Sequence, residues 1–216
     1  MQRADRNRSP SVTEHVRSAQ AHIANGNPRA ALADLDLALL ASPAAADLRL
    51  LRGRCLIMLG RTDAALADLD AGLALDPGLA GAWLERGAIH LDRSDWPAAE
   101  TDATRTLEID PGLPRAWRVR GIARYRLGFL PEAAQDLDQS LAHEPDNPSA
   151  RYWRGLALRD MGDNHAAVTE FDAAIRLNDH YTEAYVARGK AHSNLGDMAA
   201  ARSDWAIAAQ MLHHSH

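Results

Sequence analysis

The sequence predicts an all-α fold, a right-handed solenoid of six stacked helix-turn-helix repeats. Three series of small residues, each recurring every 34 residues, support this prediction. The first series consists of glycines that each follow an arginine: Gly53, Gly87, Gly121, Gly155 and Gly189. The second is Gly26, Gly60, Gly128, Gly162 and Gly196, with Ser94 in the remaining place. The third is Ala31, Ala65, Ala99, Ala133, Ala167 and Ala201. Small residues at a fixed period indicate positions where helices pack closely.

Each repeat contains two amphipathic stretches at helical spacing. A second-series glycine ends the first helix, because glycine adopts the left-handed cap without steric cost. Pro28, Pro97 and Pro131 begin second helices, where a missing N–H does no harm. Prolines of the same period end them: Pro43, Pro77, Pro111 and Pro145. The predicted units are 12–45, 46–79, 80–113, 114–147, 148–181 and 182–215, which together form the predicted solenoid, 12–215. The basic, polar segment 1–11 has no such periodicity and is predicted to be disordered.

Composition narrows the class of protein. The 216 residues carry 24 basic and 29 acidic side chains, a net charge of −5, which does not favour binding of the whole molecule to nucleic acid. The lone cysteine, Cys55, excludes an intrachain disulfide and fits a reducing compartment. Alanines occupy most equivalent positions of other repeats, so we expect Cys55 to be buried. No run of apolar residues is long enough for a membrane span. These features predict a soluble, cytoplasmic protein.

Several motifs resemble those of the tetratricopeptide repeat family. They are the mid-unit pairs Leu59-Gly60, Leu127-Gly128 and Leu195-Gly196, the alanine series, the closing pairs Asp76-Pro77 and Asp110-Pro111, and the aromatics Trp83, Trp117 and Tyr185 near the starts of units. The resemblance covers nearly the whole chain and implies a protein that binds partners in a concave groove. Arg151 departs from the pattern, because it stands where the family has an aromatic. The Lys, Asn, Asn, Lys, Arg clamp with which some members hold chaperone termini matches none of the possible three-unit windows.

The arginines that precede the first-series glycines have acidic counterparts that recur at the same 34-residue period. Each second helix carries an acid at one fixed phase: Asp34, Asp68, Asp102, Asp136, Glu170 and Asp204. In an antiparallel helix pair this phase lies about opposite the arginine, so we predict ion pairs such as Arg52–Asp68 and Arg120–Asp136. The alternative is an arginine ladder that binds phosphate or acidic chains.

Catalytic motifs are missing from the sequence. It contains no glycine-rich phosphate loop and no nucleophile elbow. Three histidines, His22, His90 and His192, share one repeat phase, but the stacking of repeats places them too far apart for a common metal ion. We predict that the protein is not an enzyme, holds no cofactor or metal, and uses these histidines for packing.

The candidate binding surface is the face of the first helices, which lines the groove of such solenoids. Its residues in the third to fifth repeats are Leu84, Arg115, Arg118, Ile122, Tyr125, Arg126, Tyr152, Leu156 and Arg159. Five arginines within 115–126 are unusual in an acidic chain. Together with the two tyrosines they suit a protein or peptide with acidic residues or a terminal carboxylate and an apolar anchor. The alternative is that these arginines pair internally with acids such as Glu85, Asp92, Asp102 and Asp160.

The leading functional hypothesis is a protein-interaction module or scaffold. A recruiting or regulatory subunit of a separate enzyme differs from it only in the partner. RNA binding through 115–126 is less favoured, because Leu84, Ala88 and Asp92 interrupt the basic residues. The last helix ends the repeat array without a separate polar capping helix, so a homodimer through its apolar side chains is a further hypothesis.

Overall fold

The computed structural model describes residues 11–214, and this part of the chain is entirely α-helical apart from its turns. The helices are α1 Val12–Ala24, α2 Pro28–Ala41, α3 Ala46–Met58, α4 Thr62–Leu75, α5 Ala80–Asp92, α6 Trp96–Ile109, α7 Pro114–Leu127, α8 Leu130–His143, α9 Pro148–Asp160, α10 Asn164–Leu177, α11 Thr182–Asn194 and α12 Met198–His214. The predicted all-α class and helical-repeat organisation are confirmed. No helix within these residues is both long and apolar enough to cross a membrane.

The turn between the two helices of each repeat has the left-handed backbone that the sequence predicts. All five second-series glycines have positive φ angles, between 68° at Gly26 and 95° at Gly162. Ser94 takes the sixth place with a φ of 62°. A serine there bears a steric penalty that glycine avoids. The turn geometry of the repeat therefore overrides the local preference of the residue.

The aromatic positions near the start of a repeat secure the preceding turn. The indole Nε1 of Trp83 donates to the carbonyl oxygen of Pro77 at 2.9 Å, and Trp117 donates to Pro111 at 2.8 Å. Arg151 makes the same connection, since its Nη2 donates to the Pro145 carbonyl at 3.2 Å. A long donor therefore replaces the aromatic in this repeat, which explains why the departure from the family pattern is tolerated.

The chain divides into two compact units between Ile89 and His90. In the first unit the buried core contains Leu35, Leu69 and Cys55, the last fully buried as predicted. Burial raises the pKa of the Cys55 thiol. In the second unit the largest buried side chains are Phe171 and Leu137.

The predicted disordered segment 1–11 falls almost wholly outside the described residues. Ser11 is its one described member and forms the N-cap of α1. Its hydroxyl accepts a bond from the Glu14 backbone N–H, and the Glu14 carboxylate accepts one from the Ser11 N–H. This reciprocal capping box fixes the start of the first helix.

Candidate partner-binding groove

The arginines before the first-series glycines pair with the acids of the second helices. Arg52 donates two bonds of 2.7 Å to Asp68, and Arg120 donates bonds of 2.8 and 2.9 Å to Asp136. The same pairing joins Arg154 to Glu170 and Arg188 to Asp204. These acids are buried, so the ion pairs, which are bidentate at Asp68, Asp136 and Asp204, offset the desolvation of both partners. The structural interpretation of the arginine series is confirmed.

A second acid series, which the sequence analysis missed, completes these networks. Four of the arginines also contact an aspartate 16 residues earlier on the preceding second helix: Arg52 to Asp36, Arg86 to Asp70, Arg154 to Asp138 and Arg188 to Asp172. Arg52, Arg154 and Arg188 thus each connect two successive second helices. The signal was present, because these aspartates also recur every 34 residues or multiples of it.

Internal pairing occupies most of the cationic stretch 115–126. Arg124 donates to Glu100 at 3.0 Å and to Asp136 at 2.9 Å, which Arg120 also contacts. Arg118 Nη1 lies 3.4 Å from Glu144 Oε2. Burial lowers the pKa of the Arg118 guanidinium. Arg115 is half-buried close to Arg118. The hypothesis of internal pairing is thus confirmed for Arg118, Arg120 and Arg124. Arg120 has the predicted partner Asp136, whereas Arg118 and Arg124 pair with acids other than those expected.

A concave surface lies in the second unit, on the face formed by α7, α9 and α11. It encloses a groove of about 630 Å³. Five of the predicted binding residues line it: Tyr125, Arg126, Tyr152, Leu156 and Arg159. Its other lining residues are Trp153, Thr182, Glu183, Val186, Ala187, Lys190 and Leu212. The α11 and α12 residues were absent from the predicted set because the sequence prediction weighted the arginine-rich repeat most heavily.

The remaining predicted residues lie in other places. Arg115, Arg118 and Ile122 belong to the second unit but do not appear among the described residues that line this groove. Ile122 is buried within the helix packing. Leu84 belongs to the first unit and is buried there. We therefore leave these four residues out of the groove.

Aromatic rings form one wall of the groove. Trp153 makes edge-on contacts with Tyr125 and Tyr152, with both pairs of ring centroids 5.5 Å apart. Tyr152 extends the cluster to Tyr181, at 5.0 Å, and to the buried Phe171, at 6.1 Å. Contacts of this geometry fix the rings in place. The wall is therefore a rigid apolar surface already formed without a partner.

A tyrosine and an arginine share one carboxylate at the end of α9. The Tyr125 hydroxyl donates to Asp160 at 2.7 Å, and Arg159 Nε donates to the other carboxylate oxygen at 2.8 Å. Burial, and then the bond to Asp160, raises the pKa of Tyr125 to about 12. Arg159 is therefore neutralised within the groove.

Three charged groups of the groove remain open to a ligand. The Arg126 guanidinium lies between two indole rings, 4.9 Å from the centroid of Trp153 and 5.3 Å from that of Trp96. Arg126, Glu183 and Lys190 are exposed, and within residues 11–214 none of them forms an ion pair. Cation–π stacking orients Arg126 but leaves the guanidinium edge available for hydrogen bonds.

The first unit has a smaller concave surface, of about 520 Å³. Val16, Leu50 and Leu51 contribute to it, and Asp47 is the only ionisable residue among its described lining residues. It lacks the aromatic wall and the open cations of the second unit.

The shared histidine phase has a polar environment. His22 lies 3.8 Å from Asp34 and His90 lies 3.8 Å from Asp102, and all three histidines of this phase are half-buried, as predicted. No three metal-ligating side chains converge anywhere in residues 11–214.

Antiparallel helix pairs that recur every 34 residues and present a groove on their first helices define a helical-repeat protein. Family models of the tetratricopeptide repeat match residues 16–80, 59–114 and 154–210, and a second such model matches 87–154. The chain belongs to the tetratricopeptide repeat family. A comparison with curated proteins found no match.

Solved structures of other proteins share the fold. PilW, a type IV pilus biogenesis factor, is 20% identical with a TM-score of 0.76, and the match covers 90% of each chain. MamA of Desulfovibrio magneticus RS-1 is 18% identical with a TM-score of 0.69, over 80% of this chain and 98% of that one. YrrB, a repeat protein with an unusual peptide-binding site, is 18% identical with a TM-score of 0.70, over 82% of this chain and 91% of that one.

Proposed function

We propose that this protein is a non-enzymatic protein-interaction module that holds a segment of a partner protein in the groove of its second unit. The observation that carries the proposal is the preformed aromatic wall beside charged side chains without internal partners. Apolar surface flanked by a few oriented polar groups is typical of binding clefts. YrrB, which shares the fold, has a peptide-binding site, which supports the same use of the fold here.

The charge distribution favours a protein partner over RNA. A nucleic acid needs a continuous series of cations along its backbone. Arg118, Arg120 and Arg124 are engaged by acids, and Glu183 adds a negative charge to the groove itself. Recruitment of a separate enzyme remains compatible with the proposal, since it changes only the identity of the partner.

The test replaces an exposed apolar residue of the groove with a charged one. Val186 is 47% exposed, so Val186→Asp should leave folding intact while placing a carboxylate on the apolar surface. The matched control is Leu177→Asp, which changes a residue of similar exposure (40%) on α10, outside the groove.

Both variants and the unmodified protein would be used for affinity capture from the native cell, with partners identified by mass spectrometry. We expect Val186→Asp to lose a partner that Leu177→Asp retains, and calorimetry with that purified partner to show at least a roughly tenfold weaker affinity. Equal capture by all three proteins would place binding outside this groove.

A further inference from the structure

The groove has two ends that are defined by helix direction. Each second helix runs antiparallel to its first helix, so α7, α9 and α11 run in the same direction. The hydrogen bond from Tyr125 to Asp160 joins the last turn of α7 to the end of α9. Tyr152 lies near the start of α9 and Tyr181 is the residue before α11, and their rings are in contact. One end of the groove therefore holds the helix starts and the other holds the helix ends.

Open charges of opposite sign lie at these two ends. Arg126 is the penultimate residue of α7, and Lys190 lies in the second half of α11. Glu183 is the second residue of α11 and lies at the opposite end. Lys190 follows Glu183 by seven positions, which at the helical rise of about 1.5 Å per residue is a distance of about 10 Å along the groove.

Apolar side chains occupy the space between these charges. Val186 lies between Glu183 and Lys190 on the same face of α11. Leu156 of α9 also lines this region, and Tyr152 contributes its ring. A partner side chain placed here would contact only carbon-rich surface, whereas groups on either side of it would meet opposite charges.

The cationic end is already arranged to accept a carboxylate. The guanidinium of Arg126 is held between two rings, so little side-chain entropy remains to be lost on binding. Arg159 lies at the same end, but Asp160 already neutralises it. Arg126 and Lys190 therefore supply the net positive charge there.

We propose that the groove selects an extended partner segment that carries an acidic and a basic side chain about four residues apart, with an apolar side chain midway between them. The acid binds at Lys190, with Arg126 adding positive charge at the same end of the groove, and the base binds at Glu183. In an extended chain every second side chain faces the same way, so the acidic, apolar and basic side chains that face the groove occupy alternate positions. At about 3.3 Å per residue, four positions span about 13 Å, which long charged side chains can match to the separation of about 10 Å between Glu183 and Lys190. The proposal rests on the function proposed above and adds the chemistry of the partner to it.

The test is selection of random ten-residue peptides displayed on phage, using the unmodified protein as bait. We expect enriched peptides to share an acid and a base that flank an apolar residue. Glu183→Lys should weaken a selected peptide at least about tenfold, and a peptide whose base is exchanged for an acid should restore affinity to that variant. Lys190→Glu should show the reciprocal behaviour with the peptide's acid.

Matched controls reproduce the charge changes outside the groove. Glu132→Lys alters an exposed acid in the first turn of α8, as Glu183→Lys does in α11. Arg176→Glu alters an exposed base near the end of α10 and is the control for Lys190→Glu. We expect both controls to bind selected peptides as the unmodified protein does.

Two further outcomes separate this inference from the proposed function. Peptides that lose binding with Val186→Asp but show no acid–base pattern, or that ignore the charge exchanges, would overturn the inference and leave the proposed function standing. No enrichment, or enriched peptides that are indifferent to Val186→Asp, would overturn both.

Discussion

Arg120 and Arg126 lie six residues apart on α7, yet the two faces of the helix use the same side chain for different purposes. Arg120 faces α8, and its guanidinium is mostly buried against Asp136. Arg126 faces the groove, where it stacks between two tryptophans without a carboxylate partner in the described part of the chain. The comparison shows that residue type does not identify a binding residue in this protein. A charge with an internal partner supports the fold, and only a charge without one is open to a ligand.

The largest expected difference between the faces concerns stability. Arg188→Leu removes the arginine that pairs with Asp204, which is 4% exposed, and leaves that carboxylate buried with no other ion-pair partner among residues 11–214. We expect a loss of roughly 3 kcal/mol in the free energy of unfolding. Arg126→Leu removes only stacking contacts on the groove face, so we expect a loss of about 1 kcal/mol or less. Urea unfolding followed by circular dichroism measures both.

The double variant Arg188→Leu, Asp204→Leu serves as the control for this comparison. It removes both charges, so it should recover much of the stability that the single variant loses. Equal losses for Arg126→Leu and Arg188→Leu would contradict the division between the two faces.

A smaller effect on stability is expected when alanine replaces a first-series glycine, where the two helices of a repeat pack closely. A methyl group added at Gly155 would lie 2.6 Å from Cε1 of Phe171, whereas one at Gly53 would lie 3.2 Å from the Leu69 side chain. The aromatic ring is confined by its neighbours, so we expect Gly155→Ala to destabilise the protein by about 1–2 kcal/mol. Gly53→Ala should be close to neutral, because improved helix propensity offsets the tighter contact. Thermal melting of the two variants tests this difference, and equal melting temperatures would contradict it.

The smallest expected effect on stability concerns Tyr125 on the groove face, and it appears only at alkaline pH. The pKa of Tyr125 is raised from 10 to about 12 in the folded protein. Between these values the unfolded chain loses the proton while the folded chain keeps it, so this tyrosine's contribution to stability is complete below pH 10 and is lost as the pH rises towards 12. Tyr125→Phe should therefore lose less stability than the unmodified protein over this range. Parallel melting curves at pH 9 to 12 measure the difference, and identical slopes would rule out the assigned role.

The elements that repeat were predictable from particular residues. The positive φ angles of Gly60 and Gly128, and the pairing of Arg52 with Asp68, all follow from positions that recur at one period. Local geometry is the same in every repeat, so one pattern specifies it many times over. The role of Arg151 was less predictable, because a guanidinium replaces an indole as donor to the preceding proline carbonyl and shares no sequence signature with it.

The groove was only partly predictable. The predicted site contains Tyr125, Arg126, Tyr152, Leu156 and Arg159 on the basis of helix face and residue type, but it does not include Glu183 or Lys190. Glu183 and Lys190 matter because they lack an internal ion-pair partner within residues 11–214. Whether a charge has such a partner depends on residues far apart in the sequence. Arg124 and Arg126 are indistinguishable by spacing alone, yet Glu100 and Asp136 engage the first and two indoles hold the second.

The sequence by itself determined the all-α class, the 34-residue repeat, the caps and turns, and the arginine–acid pairs, because each depends on short-range geometry that recurs in every unit. Only the tertiary structure decided which arginines are neutralised, which aromatic rings meet in a wall, and which three charges remain open beside it. These properties depend on side chains brought together from α6, α7, α9 and α11, so no single repeat contains the information that specifies them.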